Sequence, residues 1–128
     1  MKNGSMYVVC GKENELKTSK AEFNEFKKAF LEYVELFSLK GYRIIFEHVE
    51  LKDEYAQINR DHDGRVVVVK FNLRKYVDMG SPTDEARHEA IHLLLTGLHY
   101  WASCRYVLPD QINNEEEKIV RVLEKVII

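Results

Sequence analysis

Residues 65–97 read RVVVVKFNLRKYVDMGSPTDEARHEAIHLLLTG. The first part, Arg65–Leu73, contains four consecutive valines, and β-branched residues of this kind are typical of a β-strand. Ser81 and Pro82 follow, and they match the N-cap and the first position of an α-helix. We predict that this helix continues to about Thr96. The segment is therefore expected to form a strand followed by a helix.

A second helix is predicted nearer the N-terminus. Ser19 and Glu22 are spaced as a capping box, in which the hydroxyl and the carboxylate bond the first free backbone amides of a helix. Apolar residues then recur every three or four positions along one helical face. They are Phe23, Phe26, Phe30, Tyr33, Val34 and Phe37. We expect this face to pack in the core and Gly41 to end the helix, because glycine tolerates positive φ.

The segments between these two helices have β character. Tyr42–Leu51 and Tyr55–Asn59 are rich in branched and aromatic residues, and short connections join them to Arg65–Leu73. We therefore predict a small antiparallel sheet of about three strands, with Met6–Cys10 as a further candidate strand. His62 lies between two aspartates beside a glycine, which favours an exposed turn over a metal site. The predicted fold class is α+β.

Length and composition indicate one domain, residues 1–128. Hydrophobic residues make up 45% and charged residues 31%, as in an ordinary globular protein. The formal net charge of −2 creates no field that would gather nucleic acid or anionic lipid, so neither nucleic acid nor a membrane is an expected partner. Residues 1–5 are expected to lie outside the fold, because Gly4-Ser5-Met6 resembles a cloning remnant.

We expect a cytoplasmic protein. The apolar run Met6–Cys10 is too short for a secretory signal, and no stretch approaches the roughly 18 apolar residues of a membrane helix. Cys10 and Cys104 are too few for a disulfide framework and are expected to stay reduced. Nothing in the sequence indicates an oligomeric state.

The helix that starts after Ser81 carries the motif His88-Glu89-Ala90-Ile91-His92. Residues at i and i+4 project from one helical face, so both imidazoles can reach one metal ion, and neutral imidazole suits Zn²⁺. Glu89 lies about 100° around the helix from His88, beside the metal position without having to bind the ion. A general base that takes a proton from metal-bound water must stand there.

A catalytic zinc site needs a third protein ligand, and the final predicted helix offers one. Asn114 and Glu117 are spaced as a capping box at its start. Its buried stripe is Ile112, Ile119, Leu123 and Val126. Glu116 falls inside this stripe. Because a carboxylate that faces the core is costly unless it is paired or binds a metal, we predict Glu116 as the third ligand.

The alternative third ligands are Glu115, Glu117, Asp110 and His99. Glu115 lies at the edge of the stripe, and Glu117 points away from it. His99 is seven residues beyond His92, so only a sharp turn at Gly97 would bring its side chain back to the motif.

The motif and the following acidic helix resemble the small zincin metallopeptidases of the gluzincin type, in their minimal bacterial and phage form. The resemblance is carried by residues 88–92 and 116–121, and in architecture it covers roughly residues 18–127. It implies a zincin-like fold, zinc as the cofactor, a peptide or protein as the substrate, both histidines and a glutamate as ligands, and Glu89 as the base. The strand before the motif helix, Arg65–Asn72, would line the cleft and bind an extended peptide through backbone hydrogen bonds.

Two other interpretations of these residues stay open. A catalytically inactive member of the same fold would use zinc to stabilise an interaction or regulatory module. A metal-free domain would carry the motif by coincidence. A fourth coordination position open to water would favour the enzyme over the interaction module. Bound zinc would exclude the metal-free domain. No oxyanion-stabilising residue is assigned, and Tyr100 and Tyr106 are expected to serve packing.

Overall fold

The computed structural model describes residues 16–126 and has the predicted α+β class. Its helices are α1 (Lys20–Leu36), α2 (Pro82–Leu94), α3 (Thr96–Ser103) and α4 (Pro109–Val126), and its strands are β1 (Arg43–Val49), β2 (Ala56–Asp61) and β3 (Val66–Asn72). The candidate strand Met6–Cys10 and residues 1–5 lie outside the described range.

The strands form one mixed sheet in the order β1-β3-β2. β3 runs parallel to β1, with Arg43 beside Val66, and antiparallel to β2, with Ala56 beside Phe71. The predicted antiparallel pairing is therefore correct for β2 and β3 and wrong for β1. Residues 50–55 carry the chain past the position of β3, so β3 enters the sheet between the two earlier strands.

The core lies between the sheet and the helices. Val67, Val69 and Phe71 of β3 are at most 1% exposed, as expected for a strand with a neighbour on each side. The other core residues come from every layer and include Phe26 and Phe30 of α1, Ala86, Ala90 and Leu93 of α2, and Ile119 of α4. The central strand therefore anchors the helices but has no free edge for a ligand.

Helix α1 begins as predicted. The Ser19 hydroxyl accepts a hydrogen bond from the Glu22 amide, and the Glu22 carboxylate accepts one from the Ser19 amide. The helix ends at Leu36 rather than at Gly41. Ser38 takes a positive φ of 58° directly after the C-cap, and Gly41, with a φ of 99°, serves the next turn.

Helix α4 begins earlier than predicted. Its first residue is Pro109, whose missing N–H costs nothing at a helix start, so the expected cap at Asn114 is wrong. The Gln111 side chain accepts a hydrogen bond from the Leu108 amide at 2.8 Å at this end. Helix α3 occupies much of the segment between α2 and α4. Across residues 16–126, no helix combines the length and apolar character that a membrane crossing requires.

Candidate active site

Helix α2 holds the motif residues at a defined rotation because its start is fixed locally. The Ser81 hydroxyl accepts a hydrogen bond from the Asp84 amide at 3.1 Å, and Pro82 occupies the first position. The side chains that face the core are Ala86, Ala90 and Leu93. The two histidines consequently point away from the core.

His88 and His92 lie on consecutive turns of α2, with ring centroids 4.9 Å apart and ring planes 77° apart. Both are exposed, and both line an open cleft of about 610 Å³ between α2 and β2. Glu89 lines the same cleft but is only 6% exposed. The structure thus brings the three polar residues of the motif to one cleft.

Glu89 is a buried carboxyl without a partner among residues 16–126. Burial, followed by the charges of Glu54 and Glu85, raises the pKa of Glu89 to about 7, while Arg60 acts in the opposite direction. No hydrogen bond or ion pair to this carboxyl occurs within residues 16–126. A buried polar group left unpaired in a cleft is a feature of functional sites.

Arg60 joins the two walls of the cleft. Its Nη1 atom donates a hydrogen bond to the backbone oxygen of His92 at 2.8 Å, which ties β2 to α2. Burial, together with the charges of His88 and Arg60, lowers the pKa of His92. This shift favours the neutral imidazole of His92, and neutral imidazole is the form that binds a metal.

Several acidic and aromatic residues of the cleft were not identified from the sequence. Tyr55 precedes β2 and donates a hydrogen bond to Asp78, which is the main reason that its pKa rises to about 12. Glu54 comes from the same loop as Tyr55, and Glu85 comes from the first turn of α2. Helical spacing could have found Glu85, three residues before His88, but only the tertiary fold unites it with Glu54 and Asp78.

Glu116 does not face the core, and this part of the prediction is wrong. None of Glu115, Glu116 and Glu117 lines the motif cleft. Glu116 and Glu117 are exposed, and Glu115 is 8% exposed. Glu115 lies three residues after Ile112 and four before Ile119, so it continues the apolar stripe more closely than Glu116 does.

The Glu115 carboxylate packs against the backbone of α3. A methyl group added at Gly97 would overlap it, so the absence of a side chain at Gly97 leaves room for this acid. Its ion-pair partner is Lys118, at 3.3 Å, and that ammonium is mostly exposed. The structure therefore places a buried α4 glutamate beside the helix that follows the motif, at position 115 rather than 116.

His99 lies in a neighbouring cleft of about 420 Å³ that shares Ile58 and Arg60 with the motif cleft. His62 lines the same cleft, lies in the predicted turn after β2, and stacks on Tyr100 with a centroid distance of 4.2 Å. Neither histidine lines the cleft that contains the motif.

The strand that lines the motif cleft is β2, not Arg65–Asn72 as the resemblance implied. Ala56, Gln57, Ile58 and Arg60 all contribute to its wall. β3 is paired with β1 on one side and β2 on the other, so its backbone groups are not free to bind a peptide. β2 is an edge strand in the described sheet, with one side facing the cleft.

The donor types at the motif fit zinc, which accepts imidazole nitrogen and carboxylate oxygen. Two neighbouring imidazoles and the carboxylates of Glu54 and Glu85 line the same space. Within the described part of the chain, however, no three side chains of His, Cys, Asp or Glu are grouped closely enough to hold an ion. The fit is thus one of donor type only: two imidazoles are adjacent, and no third donor lies close enough to them within the described residues.

Comparison with protein-family models, with curated proteins and with solved structures finds no match for this chain. Function is consequently inferred from the side chains that line the cleft.

Proposed function

We propose that this protein is a zinc-dependent peptidase with a zincin-like fold. The observation that supports it best is the joint placement of His88, His92 and the buried Glu89 in one open cleft. Within residues 16–126, Glu89 has no partner and the cleft adjoins the edge strand of the sheet. The two histidines supply metal ligands, and Glu89 supplies a base.

His88 and His92 would hold the ion through neutral imidazole nitrogens from successive turns of α2. When bound, zinc lowers the pKa of its water toward about 7 and polarises a scissile carbonyl. The third ligand is proposed to be a carboxylate of α4. Glu116 is the residue predicted from the sequence and Glu115 is the buried one, and neither lines the motif cleft, so this ligand would have to reach the ion by a movement of α4.

Glu89 would accept the proton of the attacking water and pass it to the departing amine. Its position supports this role, because the carboxyl is buried, has no partner within the described residues, and faces the cleft. A carboxylate already engaged in an ion pair would be a poorer proton acceptor.

The substrate would bind as an extended peptide along β2. An edge strand offers unpaired N–H and C=O groups, and a peptide that adds to it gains a row of backbone hydrogen bonds. Arg60 holds β2 against α2, so a chain added to β2 would lie across the motif.

The first experiment measures zinc content and hydrolysis on the same preparations. We expect about one zinc per chain in wild type. His88→Ala and His92→Ala are expected to lose the metal, and His99→Ala, a histidine outside the motif cleft, is the matched control. Glu89→Gln is expected to keep the metal and to lose at least about 100-fold of the hydrolysis rate.

Unchanged hydrolysis by Glu89→Gln would end the proposal, and so would a wild-type chain without zinc. A chain that holds zinc but cleaves no peptide would be the inactive interaction module instead.

The third ligand is tested by comparing Glu115→Gln with Glu116→Gln, using Glu117→Gln as the control from the same helix. Loss of a true ligand weakens zinc binding by orders of magnitude, whereas loss of an exposed neighbour does not. Equal zinc affinity in all three variants would exclude α4 and direct the search to Glu54 and Glu85, which line the cleft.

A further inference from the structure

The motif cleft is strongly acidic on one side. Asp53, Glu54, Asp78 and Glu85 line it in addition to Glu89, and the lining includes a single cation, Arg60. A divalent ion at the histidines would still leave these residues with a net negative charge. Any ligand that enters from this side therefore meets an unbalanced negative field.

In the described part of the chain, these carboxylates form no ion pair. Six ion pairs occur within residues 16–126, and none involves Asp53, Glu54, Asp78 or Glu85. Asp78 receives the Tyr55 hydroxyl, and Glu85 receives the Gly80 amide at 3.0 Å, but these neutral donors leave the charge in place. Glu54 is exposed, with its charge close enough to act on Glu89.

The buried carboxyl of Glu89, which the proposed function uses as the base, is a second feature of this side of the cleft. It is 94% buried, aimed into the cleft and unpartnered in the described range. Desolvated carboxylates are stabilised when a cation arrives, so the cost of burying this group is reduced on binding.

The two clefts form one groove of unequal charge. Both are lined by Ile58 and Arg60, so they adjoin along β2. The second cleft contains His62, His99 and Tyr100, and its lining includes no carboxylate. An extended peptide that follows β2 would thus pass from a lining with five acidic residues to a lining with none, beside which Asp63 contacts His62.

We infer that this groove selects peptides that carry a lysine or arginine side chain on the Asp53–Glu54 side of the motif. The inference rests on the proposed function, because it takes from it that an extended peptide binds along β2. It adds a determinant of specificity, namely two carboxylates from the β1–β2 loop that do not belong to the motif. A long basic side chain can reach them while its backbone pairs with β2.

The test is a binding assay on the non-hydrolysing variant Glu89→Gln. Labelled peptides of equal length that differ at one position, as lysine, glutamate or norleucine, are titrated by fluorescence anisotropy, with that position moved along the peptide. We expect the lysine peptide to bind about tenfold more tightly than the glutamate peptide at its best position, and the preference to shrink as salt is added.

The added double substitution Asp53→Asn with Glu54→Gln is expected to reduce this preference to less than about threefold, with norleucine binding nearly unchanged. The matched control is Glu32→Gln with Glu124→Gln, which removes the same charge from exposed sites outside the cleft. Equal binding of the lysine and glutamate peptides would overturn the inference, as would a preference that survives the Asp53–Glu54 substitution.

The two proposals fail in different ways. Charge-selective binding without hydrolysis by wild type would disprove the peptidase and leave the acidic groove supported. Hydrolysis without charge selection would support the peptidase and disprove the charge-selective groove. Calcium binding that disappears with the Asp53–Glu54 substitution, alongside no lysine preference, would identify the acids as a cation site and overturn the inference.

Discussion

Asn72 and Glu89 are both buried polar residues, but their surroundings differ completely. Asn72 is fully buried at the end of β3, and its amide makes four hydrogen bonds. Its partners are backbone groups of Leu51, Glu54 and Arg74. Glu89, 6% exposed, makes none within the described residues. A buried polar group with a structural role has its hydrogen bonds formed within the protein, whereas one that binds a ligand leaves them free.

The strongest test of this contrast is Asn72→Ala. Removal of the amide leaves several buried backbone groups without partners, so we expect a loss of about 3 kcal/mol in the free energy of unfolding. Urea denaturation measures it. Asn113→Ala, at an exposed position of α4, is the control and is expected to change stability by less than about 0.5 kcal/mol. If Asn72→Ala lost no more stability than Asn113→Ala, the four hydrogen bonds of Asn72 would not stabilise the fold.

At Glu89 we expect an apolar substitution to increase the free energy of unfolding rather than reduce it. In metal-free protein at neutral pH, Glu89→Met replaces an unpaired buried carboxyl with an apolar side chain of similar length, and we expect a gain of about 1 kcal/mol. Glu32→Met on the exposed face of α1 controls for the general effect of the substitution. Destabilisation by Glu89→Met would reveal a structural partner for this carboxyl and weaken the comparison with Asn72.

A smaller, pH-dependent effect is expected at His48, on the same side as Asn72. Its Nε2 lies 2.6 Å from the Thr18 hydroxyl, which donates to the backbone oxygen of Asn72, and its ring stacks on Phe23. Burial lowers the pKa of His48 from 6.5, against the opposing charge of Glu22. The unfolded chain then binds the proton more readily than the folded chain. The contribution of His48 to the free energy of unfolding should therefore be fully present above pH 6.5 and fall as the pH drops below it.

Denaturation midpoints between pH 5 and 8, compared for wild type and His48→Gln, measure this effect, with His92→Gln as the control for the other histidine of lowered pKa. The pH dependence should decrease in His48→Gln. An identical slope in that variant would show that His48 does not contribute to it.

The sequence predicts what local interactions decide. Ser19 with Glu22, and Ser81 with Pro82, mark the starts of α1 and α2, because each cap depends on residues within one turn. The central position of β3 follows from pairing with a distant strand, which no short window contains. Glu54, Arg60 and Asp78 belong to three separate segments, so only the tertiary fold makes them neighbours.

The error at Glu116 has a local cause. Glu115 and Glu116 are neighbours beside the same apolar stripe, and a difference of one residue rotates a side chain by about 100°. Glu115 lies three residues after Ile112 and four before Ile119, so it falls closer to that stripe than Glu116 does, in agreement with its burial.

The strand order also has a consequence for how the chain folds. β2 and β3 are joined by a tight turn, so their pairing closes a small loop, whereas the pairing of Arg43 with Val66 closes a much longer one. Loop closure costs more entropy as the loop lengthens, so we expect the β2–β3 hairpin to form early and β1 to dock later. Early intermediates would then display an unoccupied β3 edge, where a second chain could insert before β1 arrives.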